Sequence, residues 1–136
     1  MSYDLSLREE EVKKRVAEDF FRKFETSHIL GNVDFCVSVK DGLGLITDSE
    51  IQSLLWAESK KGNKEDINAS LVQLIFTIGK EKTNEKYMPP SYIGAFDAEK
   101  IAFIEYHKVL HIFSQNDFNW NVTPSNHDTK EFKLLY

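Results

Sequence analysis

The run Leu54-Leu55-Trp56-Ala57-Glu58-Ser59-Lys60-Lys61-Gly62 is apolar-leaning until it breaks into Glu-Ser-Lys, where a turn would ordinarily follow. Side chains alternate along a strand, so Glu58 and Lys60 share a face, about 7 Å apart along the chain. A carboxylate and an ammonium at the end of a buried strand cost desolvation unless they bind something. Asp34 stands at the start of an earlier extended segment. If the two strands pair antiparallel, the start of one meets the end of the other, and the three groups converge. Phosphodiester hydrolysis needs that set. Asp34 and Glu58 would hold Mg2+, a hard cation that prefers oxygen ligands and keeps several waters, with Mn2+ able to substitute. Such a metal polarises a phosphate and favours hydroxide at neutral pH. Lys60 would orient the attacking water and stabilise charge developing on the phosphate. The Ser59 carbonyl would point into the same space as a further metal ligand. The same residues also fit a plain surface ion pair, worth roughly 0.5 kcal/mol, and spacing alone does not decide between the two.

The elements that must position these groups follow from periodicity. Positions 5–27 read as a long amphipathic helix, with Val12, Val16, Phe20 and Phe24 on one stripe and Ala17 and Phe21 widening it. Positions 33–39 alternate strictly, with the Val/Phe side expected in the core and Asp34, Cys36 and Ser38 on the other face. Positions 51–60 read as a central strand covered on both faces. A second helix is expected over about 65–80, with Ile67, Leu71, Leu74, Ile75 and Ile78 as its core stripe and Val72 and Phe76 off it. After Pro89-Pro90, positions 92–96 and 101–106 read as a hairpin around Asp97-Ala98-Glu99-Lys100. A short helix near 107–113, a polar stretch over 114–128 and a terminal helix complete the order. Alternating helices and strands predict an α/β architecture, not a bundle.

With 136 residues the chain suits one domain, here expected over 1–136. No apolar stretch approaches the ~18 residues of a membrane span. A polar, acidic beginning and a single cysteine predict a reducing, cytoplasmic setting. Asn68-Ala69-Ser70 and Asn121-Val122-Thr123 are then chance glycosylation triplets. The net charge of −5 speaks against autonomous DNA binding, since phosphate neutralisation dominates such affinity. A catalytic domain whose DNA grip lies elsewhere remains compatible with it.

Asn32-Val33-Asp34-Phe35 followed by Trp56-Ala57-Glu58-Ser59-Lys60-Lys61-Gly62 resembles the PD-(D/E)XK nuclease signature. It more specifically resembles the N-terminal nuclease region of fused restriction–modification enzymes of the type IIG class. The runs 71–80, 94–100 and 116–124 look like the same family, so the resemblance extends from about Leu7 to the end. It implies a restriction-endonuclease-like fold, a central mixed sheet flanked by helices. It also implies a Mg2+-dependent endonuclease acting on double-stranded DNA, in which Asp34 and Glu58 bind metal and Lys60 positions water. Gln73 would be the polar residue that many such nucleases place on the helix after the ExK strand, and its helical phase beside the core stripe agrees. The family often adds a first-helix glutamate, for which Glu11 and Glu18 are candidates. The motif's leading proline is replaced by Val33. Longer members carry methyltransferase and target-recognition domains in the same polypeptide and can dimerise for double-strand cutting; no methyltransferase tetrapeptide or glycine-rich cofactor loop occurs here. Alternatives are a repair or resolvase nuclease of the same fold, or a catalytically silent scaffold.

Other features invite plainer readings. His107 and His111 have a zinc-compatible spacing but no third ligand nearby. Lys13-Lys14-Arg15 reads as solvated surface, whereas Lys60-Lys61-Gly62-Asn63-Lys64 lies beside the candidate site and could touch phosphate. Trp56 reads as core, and Trp120 as either a local packing anchor or a docking element. Cys36 reads as a small buried residue.

Overall fold

A computed structural model of the chain describes residues 3–26, 29–39, 51–64, 66–113, 118–120 and 124. The most apolar stretch forms the second of four sheet strands. This strand, β2 (Ser53–Ser59), pairs antiparallel with β1 (Phe35–Ser38) and parallel with β3 (Tyr92–Phe96). β4 (Ile101–Glu105) continues the sheet antiparallel to β3, giving the order β1-β2-β3-β4. The result is an α/β arrangement, a mixed four-strand sheet with helices against it.

Both faces of β2 are covered, as its unbroken apolar run requires. Leu55 and Ala57 pack with Val12 and Val16 of α1 (Glu9–Phe20), alongside Phe35 and Val37 of β1. Trp56 packs on the other side with Leu74, Ile75 and Ile78 of α2 (Ile67–Glu81) and with Cys36. β1 is therefore buried on both faces as well, whereas its alternation alone assigned Cys36 and Ser38 to the non-core side. α2 begins at Asp66, whose side chain accepts from Asn68 N at 2.9 Å, and ends at Lys82 in a left-handed conformation, φ 54°. Its second contact exists: Val72 and Phe76 meet Phe118 and Trp120. An added Cβ at Gly79 would overlap the Trp120 ring, so Trp120 is a packing anchor.

The first helix is shorter than its periodicity suggests. Before it, Asp4 holds a turn by accepting from Ser6 N and Ser6 Oγ at 2.9 and 2.8 Å. After it, Glu25 forms a bridge with Ser38, donating N–H to its carbonyl at 2.9 Å and accepting in return at 2.8 Å. Sheet hydrogen bonding thus takes residues that a continued helix would have used. Phe24 still packs against the core from a turn, and Phe21, not Phe20, is buried.

The hairpin forms where expected. The stretch 106–113 divides into a 3-10 turn, Tyr106–Lys108, and a single-turn helix, and α3 (Thr83–Lys86) caps the end of α2. The anticipated terminal helix lies outside the described residues. Among the described residues no helix is long and apolar enough to cross a membrane.

Candidate active site

The antiparallel register pairs Phe35 with Ala57, which places Asp34, just before β1, beside the end of β2. Asp34 Oδ2 accepts from Ser59 N at 3.2 Å. Glu58 points to the α2 side of the sheet, where Gln73 Nε2 donates to its Oε1 at 2.8 Å. The Lys60 Nζ stands 3.4 Å from the same oxygen. Asp34, Glu58, Lys60 and Gln73 are thus brought into one cluster. A cavity of about 320 Å³ opens over Asp34, Glu58 and Gln73, lined also by Asn32 and Thr77.

The local backbone fixes these positions from both sides. Lys60 N donates to Phe96 O at 3.0 Å, so β3 holds the residue that carries the ammonium. The following loop is tied down by Ala98 N donating to Gly62 O at 2.8 Å and Lys100 Nζ donating to Asn63 O at 2.7 Å. Gly62 needs its positive φ of 70° to make that exit. On α2, Thr77 Oγ1 donates to Gln73 O at 3.1 Å.

The cluster is electrostatically uncomfortable without a further cation. The Glu58 side chain is only 6% exposed. Burial first, and then the neighbouring Asp34 charge, push its carboxyl up to about 8, against the opposing pull of Lys60. Asp34 also lies within hydrogen-bonding reach of Glu58. Two adjacent hard oxygen donors, short of positive charge, suit a divalent ion that keeps part of its water shell. Among the described residues no group of three or more His, Cys, Asp or Glu could hold a metal ion, so the pair would act with backbone oxygen and water.

The first helix brings Glu9, which the sequence did not single out, and Lys13, which read as solvated surface but whose side chain is mostly covered. Glu9 is in phase with the buried Val12 and Val16, and its carboxyl is raised by burial and then by the Asp34 charge. It also feels Lys60. Lys13 lies one turn on, with Nζ 3.0 Å from Glu10 Oε1 and 4.0 Å from Glu9 Oε1. Burial opposes its charge, but Glu10 and Asp34 outweigh burial and raise its pKa. Glu11 is exposed and pairs with Arg8 at 3.8 Å. Glu18 lines a second cavity, of about 670 Å³, that also borders Asp34. An acidic residue in step with an apolar stripe was the available signal for Glu9.

The remaining candidates are structural. His107 and His111 sit on separate short turns, and His107 Nδ1 lies 3.3 Å from Glu105 Oε2. Cys36 is buried, and burial pushes its thiol up to about 11, away from reactivity. Trp56 is fully enclosed. Comparison of the chain with protein-family models, curated proteins and solved structures finds no match.

Proposed function

We propose that this domain is a Mg2+-dependent endonuclease that hydrolyses DNA phosphodiester bonds, with a PD-(D/E)XK fold and a place in a restriction–modification system. The observation that carries the reading is the β1–β2 register, which sets Asp34 against the end of the strand bearing Glu58 and Lys60. Asp34 and Glu58 would hold the metal, with Mn2+ able to replace Mg2+. N–H and C=O of one strand residue point to the same edge, so the Ser59 carbonyl faces the β1 side, as its amide does. It is the third ligand in this reading. The bound ion supplies Lewis-acid activation of the phosphate.

The chain's own groups account for the rest. Gln73 fixes the Glu58 carboxylate by donating to one of its oxygens, leaving the other for a ligand. The Lys60 ammonium, 3.4 Å from Glu58 Oε1, would orient a water for attack and offset negative charge gathering on the phosphate. Glu9, whose carboxyl is raised by burial and then by the Asp34 charge, would add negative charge on the α1 side. In this reading most of the grip on duplex DNA, and the sequence readout, belong to methyltransferase and target-recognition domains joined to this one, with which the acidic balance is in keeping. A dimer would give double-strand cutting.

Incubation of the protein with duplex DNA in Mg2+ or Mn2+ tests this. Glu58→Ala and Lys60→Ala should each reduce cutting by about 10²–10³-fold or more while the fold survives. Undiminished cutting by either variant refutes the assignment. Calorimetric metal binding should be lost in Asp34→Ala.

A further inference from the structure

Asp34 lines two cavities. The smaller one holds Glu58 and Gln73 and has been described. The larger, about 670 Å³, opens on the α1 side and is lined by Lys13, Lys14, Glu10 and Glu18 together with Asn32 and Asp34. A strand whose scissile phosphate sits over Asp34 and Glu58 must place its next phosphate to one side, and this cavity is open for it.

Lys13 is the cation suited to meet that phosphate. A helix lysine with i−3 and i−4 glutamates ordinarily makes a solvated pair of a few tenths of a kcal/mol. Lys13 departs from that pattern in two ways. Its side chain is only 19% exposed, against 80% for Glu10. It also lines one cavity with Asp34, on a different element, and does not face only its own helix. The two glutamates hold the ammonium at 3.0 and 4.0 Å, so little ordering is left to be done when an anion arrives. Lysine is a point-charge phosphate binder that needs no fixed fork geometry.

We infer that Lys13 is a substrate-binding residue whose ammonium takes the phosphate next to the one being cut, on the α1 side of Asp34. The inference rests on the nuclease reading and adds a backbone contact to it. Lys13 is assigned to binding, and the bond-breaking step is left to Lys60 and the carboxylates.

Single-turnover cleavage of an oligonucleotide duplex separates the two contributions, with half-saturating protein concentration and plateau rate measured at several salt concentrations. Lys13→Met keeps the apolar stem and removes the charge. It should raise the half-saturating concentration about tenfold at low salt and lower the log–log salt slope by about one. The plateau rate should stay within about twofold of the wild-type rate, since the contact is equal in ground and transition states. Lys13→Arg should restore both affinity and slope, and Lys86→Met, an exposed lysine outside the site, should change neither. An unchanged slope in Lys13→Met, or a fallen plateau at unchanged half-saturation, overturns the inference. If the wild-type protein cuts and Lys13→Met matches it, this inference alone fails. If the wild-type protein cuts no duplex at any concentration, the nuclease reading fails and this goes with it.

Discussion

Glu58 is a carboxyl group held where water hardly reaches, beside a second carboxylate, and that has a consequence for stability. Its folded-state value is raised from 4.5 to about 8, by burial first and Asp34 second. Between those values the folded protein binds a proton that the unfolded chain has already lost, so unfolding becomes easier as pH rises. The metal-free protein should therefore melt progressively lower from pH 5 to pH 9, with the loss complete near the folded value. Glu58→Gln should flatten the profile and melt higher than wild type at pH 9. Thermal denaturation followed by circular dichroism at each pH reads this, and a wild-type profile that rises with pH contradicts it. If Mg2+ binds as proposed it competes with the proton, so saturating Mg2+ should stabilise the protein more at pH 8 than at pH 6. At this scale the sequence was informative where geometry is rigid: period-two alternation puts Glu58 and Lys60 on one face, and antiparallel pairing carries Asp34 to them. Glu9 was harder to see, because acidic residues at a helix start have a sufficient explanation in the helix dipole.

The hairpin between β3 and β4 is the element that keeps the exit of β2, the strand bearing Glu58, in place. Asp97 is 1% exposed, and its Oδ1 accepts from Glu99 N and Lys100 N, both at 2.8 Å. Its Oδ2 pairs with Lys100 Nζ at 2.8 Å, and the same ammonium reaches across to Asn63 O. Asp97→Ala should cost about 1–2 kcal/mol of stability by taking the acceptor from the part-buried turn donors Glu99 N and Lys100 N. It should also lower the proposed cleavage through loosened positioning of Lys60, although Asp97 lies outside the proposed metal site. Urea unfolding and cleavage rates check the two effects, and a variant of wild-type stability excludes this role. The hairpin was readable from its turn residues and alternation. The first helix was over-extended in the same reading because Phe24 continues its stripe, while Glu25 is claimed by Ser38 of β1. Periodicity records which side chains are buried, not which backbone groups find sheet partners.

For the molecule as a whole, charge sets the terms of encounter with a polyanion. At −5, with short cationic stretches at 13–15 and 60–64, the protein has few groups with which to displace counterions. Fluorescence anisotropy with a short duplex at physiological salt should give binding in the micromolar range or weaker. Nanomolar affinity would contradict the assignment of DNA grip to joined domains. The enclosed sulfur on β1 offers a different use. Cys36 is the sole cysteine of the sequence, and its Sγ accepts from Leu30 N at 3.5 Å beneath the sheet. A thiol-specific reagent reaches it only when the packing between β1 and α2 opens, and Asp34 immediately precedes that strand. Labelling kinetics at one native position thus time the opening of the wall on which the proposed ion capture would depend, with no engineered probe. Slower labelling in Mg2+ would register the ion clasping two strands together.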